Sequence, residues 1–97
     1  MVYYFGNIAI LPCNLEKIYS SDQIFFTFNN TMIAVSSVDK YKLVQPTVTS
    51  RTKLLIRNFN FDDQGFYRCG LLDTKLKTER YDRITYHLLV DGKFNNH

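Results

Sequence analysis

An all-β domain is the fold class this sequence predicts, on three observations. Apolar and polar residues alternate through most of the chain in short runs bounded by Gly, Asn, Asp and Pro, the pattern of half-buried strands. No long segment carries the 3.6-residue period of an amphipathic helix. Ninety-seven residues, 45% hydrophobic and 15% aromatic, supply one core, and no repeat, low-complexity tract or linker divides them. Residues 1–91 are read as that single domain and 92–97 as a loose polar tail.

Taken in order, residues 2–5 are short and apolar and suit a first strand lying against the last one. Residues 8–14 form the next run. With Cys13 inward, Leu11 and Ala9 share its face because side chains alternate with period two. Pro12 then points the other way, where its missing N–H must not be needed. After a loop over 14–22, residues 23–28 place Ile24, Phe26 and Phe28 on one face and Phe25 and Thr27 on the other. Asn29-Asn30 suits a two-residue hairpin, since Asn tolerates positive φ. Residues 31–36 return beside that strand, with Thr27 opposite Met32 and Phe25 opposite Ala34. Strands follow at 40–45 and at 51–57, the latter with Leu54 and Ile56 inward, separated by a turn region at 46–50. Residues 65–72 put Tyr67, Cys69 and Leu71 inward. An eleven-residue loop over 73–83 leads to a last strand with Tyr86, Leu88 and Val90 towards the core.

The bulk chemistry excludes several functions. A formal charge of +3, with cations interspersed among acids, is not the basic stripe of a nucleic-acid binder. No run of 18 apolar residues is present to span a membrane, so no direct membrane contact is expected. No signal peptide precedes the first strand, and the chain is expected to be a mature domain of something longer. His87 and His97 belong to no nucleophile or metal spacing, so neither an enzyme nor a metal or other cofactor is expected. Two cysteines by themselves fit free cytosolic thiols as well as a bridge; their strand contexts favour an oxidising compartment.

The most informative stretch is Asp63-Gln64-Gly65-Phe66-Tyr67-Arg68-Cys69, an Asp-x-Gly-x-Tyr-x-Cys run with Cys13 lying 56 positions upstream. Gly6 through Cys13 reads Gly-x-x-apolar-x-Leu-x-Cys, and Leu54-Leu55-Ile56-Arg57-Asn58-Phe59 reads Leu-x-Ile-x-Asn-apolar. Together, over residues 6–90, these motifs resemble an immunoglobulin-superfamily domain of variable or intermediate type. The resemblance implies a two-sheet immunoglobulin-like Greek-key sandwich with one disulfide, Cys13 to Cys69, joining the family's strands B and F. Closing a loop of that length contributes about 4 kcal/mol in the chain-entropy model. It further implies that the Tyr67 hydroxyl satisfies a backbone group near the preceding corner and that Asp63 meets a cation, for which Lys40 is the best match. The chain has no tryptophan. Phe26 is expected to pack on the disulfide in place of the family's indole, supplying aromatic area without an N–H to satisfy. Lys40 stands where the variable type has arginine and offers only a point charge. The last strand lacks a Gly-x-Gly bulge, so the resemblance does not extend to antibody or T-cell-receptor chains.

Alternation also predicts an outward face on the sheet built from 23–28, 31–36, 65–72 and the last strand. It carries Phe25, Thr27, Met32, Ala34, Phe66, Arg68, Leu72, Thr85, His87 and Leu89. Aromatics, Met and Leu around one Arg match the composition of protein interfaces, and a contiguous apolar patch marks a partner. The plainer reading is a set of cross-strand pairs under polar side chains. Asn29-Asn30-Thr31 is an acceptor sequon for N-glycosylation at one end of that face. The mixed charges of 73–83 suit steering of a partner, and Ile18 and Tyr19 offer a weaker second loop.

The expected function is therefore extracellular protein recognition, self/non-self recognition included, by a cell-surface receptor or adhesion protein. The partner is a protein on another cell or a second copy of the chain, in a weak homodimer. A structural spacer of a multidomain ectodomain, or a secreted or viral decoy for a host ligand, is the alternative. The patch alone does not separate them.

Overall fold

The computed structural model describes residues 3–5, 7–17, 21–35, 40–45 and 51–90. Among these residues the chain forms eight strands: β1 (Tyr3–Phe5), β2 (Ile8–Pro12), β3 (Gln23–Phe28), β4 (Thr31–Met32), β5 (Tyr41–Val44), β6 (Lys53–Ile56), β7 (Gly65–Asp73) and β8 (Thr78–Leu88). Two antiparallel four-stranded sheets result, ordered β1-β2-β6-β5 and β4-β3-β7-β8. The chain crosses between them after β2, β4 and β6, so neighbours in sequence are often not neighbours in a sheet. The predicted all-β sandwich is what the protein adopts.

Period-two alternation fills the space between the sheets. Ala9, Leu11 and Cys13 with Leu54 and Ile56 come from one side; Ile24, Phe26, Tyr67, Cys69, Leu71, Tyr86 and Leu88 come from the other. Cys13 and Cys69 are bonded, with Cα atoms 5.5 Å apart and both residues fully buried. Phe26 lies directly opposite Cys69 across the β3–β7 ladder and is itself fully buried, so an aromatic ring does flank the bridge. Phe28 stacks on Tyr67 at a centroid distance of 4.7 Å. This disulfide-bridged sandwich is compatible with an immunoglobulin-like domain.

Three sequence expectations are corrected. The first strand does not lie against the last: β1 folds back antiparallel on β2, with Tyr3 opposite Ile10 and Phe5 opposite Ile8. The tight connection through Asn7 brings the two together before the chain leaves the sheet. The strand expected over 31–36 ends at Met32; Thr27 does face Met32, but Phe25 has no ladder partner at Ala34, and the last bond of that edge runs from Ile33 N to Phe26 O at 2.9 Å. The eleven-residue loop over 73–83 is a four-residue turn followed by strand. Asp73 faces Thr78, Leu72 faces Glu79, Leu71 faces Arg80 and Gly70 faces Tyr81, so β7 and β8 make one long hairpin. Charged residues obscured that strand, because solvent-facing edge positions need no apolar alternation. Pro12 sits within β2 but past the last described pair of β1, and among the described residues nothing on that side calls for the N–H that proline lacks.

Ile18, Tyr19, the turn at 46–50 and the tail over 92–97 lie outside the described residues.

Candidate functional site

The outer face of the β4-β3-β7-β8 sheet is assembled by register. Met32, Thr27, Arg68 and Thr85 form one row across its four strands. Phe25, Gly70 and Tyr81 form the row beyond it, and Phe66 and His87 the row before it. Each row mixes what the sequence brought out with what it hid.

Phe25 and Thr27 are not open to solvent, being only 9% and 7% exposed. The cause is Gly70. A Cβ at that position would come within 2.4 Å of the Phe25 ring, so the missing side chain lets the ring lie down across β7. Tyr81 closes over it edge-on, with ring centroids 5.8 Å apart. Arg68, half-buried, then extends over Tyr81 with its guanidinium carbon 5.2 Å from the ring centroid, a cation–π contact. Thr27 turns its hydroxyl to the Arg68 carbonyl at 3.4 Å. Leu72 is half-buried at the far end, opposite Gln23.

Met32, Phe66 and Leu89 remain 57%, 52% and 53% exposed. His87, also exposed, stacks on Phe66 with centroids 4.3 Å apart and planes 17° from parallel. The open part of the face is therefore the Phe66–His87 stack, with Met32 on β4, Leu89 just past β8 and Tyr81 in its own row also exposed.

Two buried aspartates hold the strands that carry this face. Asp63 ends a 3₁₀ turn (Phe61–Asp63), and its carboxylate accepts from Lys40 Nζ at 2.6 Å and from Asn60 N at 3.0 Å. Its carbonyl accepts from the Tyr67 hydroxyl at 2.6 Å, which ties the corner to β7. Lys40 also donates to Asn58 O at 3.0 Å. At the other stitch β8 bulges: Arg68 faces Thr85 and Gly70 faces Tyr81, so residues 82–84 stand opposite Cys69 alone. Asp82 turns inward there. Its carboxylate accepts from Asn14 N at 2.9 Å and Ile84 N at 3.2 Å, and its carbonyl accepts from Arg68 Nε at 2.7 Å.

Each aspartate charges the surroundings of a tyrosine. Burial, then Asp63, pushes the Tyr41 phenol above its ordinary value. Burial, then Asp82, does the same to Tyr86, opposed by a hydrogen bond to Asn14.

The two turns at the sheet ends are also fixed. Asn29 and Asn30 have φ of 49° and 69°, as a type I′ hairpin requires. Asn29 Oδ1 accepts from Phe66 N at 2.9 Å and occupies the space above Gly65, whose φ of 154° and crowding exclude a side chain. At the opposite end, buried Asp22 accepts from Thr74 N and Thr74 Oγ1, both at 3.0 Å. Asp73 Oδ1 accepts from Lys75 N and Leu76 N.

Sequence reasoning missed Gly70 and Tyr81 as parts of this face and Asp82 as the inward clasp beside it. A glycine inside an otherwise regular strand run was the available signal, since it marks a close approach. Nothing local announces Asp82, whose partners Asn14 and Arg68 are distant in sequence. Compared with models of known protein families and with curated proteins, the chain matches none. Among the described residues no helix is long and apolar enough to cross a membrane.

Proposed function

We propose that this chain is an extracellular recognition domain of the immunoglobulin type, from a cell-surface receptor or adhesion protein. It binds a protein partner through the outer face of the β4-β3-β7-β8 sheet. The observation that carries the reading is the exposed Phe66–His87 stack, on a face where Met32 and Leu89 are also exposed. Large apolar groups held open on a disulfide-braced sheet favour a partner that covers them. The motif resemblance and the buried Cys13–Cys69 bond support the class and an oxidising compartment. Burial of Phe25 and Thr27 narrows the contact to Met32, Phe66, Arg68, Leu72, His87 and Leu89. The partner is a protein on another cell or a second copy of this chain.

Asn29 is proposed as a glycan acceptor. Its Oδ1 takes the bond from Phe66 N, so linkage through Nδ2 leaves that bond in place. Intact mass before and after enzymatic deglycosylation, on protein secreted from a glycosylating host, reads this directly.

The recognition reading is tested with a labelled multimer of the folded domain on cells, where avidity raises a weak contact into range. Phe66→Asp and Met32→Asp change exposed side chains and leave the core alone. Each is expected to lower cell binding about ten-fold or more with an unchanged circular-dichroism spectrum. Undiminished binding by both variants sinks the face and favours the spacer reading.

A further inference from the structure

Arg68 lies in the middle of the outer face, between the Phe66–His87 row and the Gly70–Tyr81 row. Its guanidinium is held from two sides. Nε donates to Asp82 O at 2.7 Å, and the guanidinium carbon stands 5.2 Å from the Tyr81 ring centroid. Neither contact uses the Nη1 and Nη2 groups. Among the described residues those groups find no acceptor, and Arg68 enters no ion pair. No buried side-chain nitrogen there lacks a partner, so the Nη groups are open to solvent. An arginine already ordered by its own fold loses little freedom when a partner arrives.

This charge has no counterpart on its own face. Among the side chains that register places there, Arg68 is the only Lys or Arg, and the only acid is Glu79, two rows away and opposite Leu72. Glu79 Oε1 accepts from the Tyr81 hydroxyl at 3.4 Å instead. Asp82 offers Arg68 only its carbonyl, since its carboxylate turns to Asn14 N and Ile84 N. A partner that covers Met32, in the same row, and Phe66, in the next, also covers the guanidinium. Taking a charge out of water without a counter-charge is strongly unfavourable, so that partner has to bring an anion. The fork of an arginine matches the two oxygens of a carboxylate. One cation among aromatic, Met and Thr side chains balances one negative charge, whereas a phosphate or a sulfated chain carries more.

We infer that the partner is a different protein, which presents one Asp or Glu carboxylate to Arg68 from within an apolar surface. The inference rests on the recognition reading above. A second copy is the poorer occupant. A two-fold axis through the middle of the face brings the two Arg68 side chains together, and like charges there oppose docking.

The labelled multimer on cells tests it, with Phe66→Asp and Met32→Asp reporting on the face itself. Arg68→Gln removes the charge and is expected to lower cell binding about a hundred-fold, the scale of truncating one half of a buried charge pair. Arg68→Lys keeps the charge, loses the fork and should cost about ten-fold. Amidation of cell-surface carboxyls with a carbodiimide and glycinamide should lower wild-type binding to the level of Arg68→Gln and leave Arg68→Gln unmoved. A merely destabilised domain shows no such coupling. Sialidase, which strips glycan carboxylates, should change nothing. Equal binding by wild type and Arg68→Gln, with Phe66→Asp still weak, overturns the inference and leaves the face standing. Loss on sialidase treatment overturns it in favour of a glycan acid. A wild-type homodimer in sedimentation equilibrium that Arg68→Gln weakens places the anion on a second copy and overturns it too. Undiminished binding by both face variants, or no binding by wild type, removes the recognition reading and this inference together.

Discussion

Asp63 and Asp82 are buried carboxylates at two stitches of the same sandwich, and they differ in how they are held. Asp63 sits in a corner built from its own neighbourhood: Asn60 caps the turn that delivers it, and Tyr67, four residues on, bonds its carbonyl. Only Lys40 comes from further away. Asp82 has a single near partner, Ile84 N, and reaches Asn14 across the sandwich while Arg68 holds its carbonyl. The first is a local motif that a cation completes. The second is a non-local clasp that exists only once both sheets are in place. A buried charge is legible in sequence to the extent that its donors are.

The largest effect is expected from the bond that both clasps flank. Cys13 precedes Asn14, and Cys69 lies two residues after Tyr67, so the disulfide sits between the Asp82 and Asp63 networks. Replacing both cysteines by alanine should cost about 4 kcal/mol in urea unfolding. Hydrogen exchange should quicken at Asn14 and around Tyr67 alike. If only one of the two speeds up, the bridge serves one clasp and not the pair.

Next in size is Asp63→Ala. It strands the Asn60 N–H and removes the carboxylate partner of Lys40, which keeps only its bond to Asn58 O, for an expected loss of about 2–3 kcal/mol. The lysine side chain is 34% exposed, so solvent screening keeps the ion pair from adding the full worth of a buried one. Asp82→Ala leaves Asn14 N and Ile84 N without their acceptor but strands no cation, and about 1–2 kcal/mol is expected. The same urea curves check both, and a reversed order would show that the cross-sandwich clasp is the stronger of the two.

The same distinction accounts for what the sequence made legible. The Leu54-to-Cys69 region and the Asn29-Asn30 turn were readable because alternation, the Asp-x-Gly-x-Tyr-x-Cys spacing and the tolerance of Asn for positive φ each encode geometry within a few residues. Inward residues Leu54, Ile56, Tyr67, Cys69, Leu71, Tyr86 and Leu88 are buried as alternation places them. The start of β8 was not readable. Thr78, Glu79, Arg80 and Tyr81 carry an edge strand without an apolar pattern, because β7 alone dictates their register. The outer face divides likewise. Met32 and Phe66 are open as alternation implies, whereas Phe25 is covered because Gly70, on another strand, leaves room for its ring. Alternation gives the side of a sheet; it does not give the height at which a side chain lies.

The smallest expected effect is also the most selective probe of the two carboxylates, because each raises the pKa of a different tyrosine. Tyr41 is shifted up by burial and then by Asp63, Tyr86 by burial and then by Asp82. A raised phenol pKa means that the folded state holds its proton more tightly than the unfolded chain. The corresponding stability is complete below about pH 10, the unfolded value, and is lost as pH rises through the folded value. Thermal melts should therefore decline on the alkaline side of that point. Asp82→Asn removes the charge at nearly constant volume and should bring Tyr86 down while leaving Tyr41 where it is. Asp63→Asn should do the converse. Tyrosinate absorbance in the Tyr41→Phe and Tyr86→Phe backgrounds assigns the two titrations. If either substitution moves both tyrosines, the two stitches are electrostatically joined through the core and do not act as separate local and cross-sandwich devices.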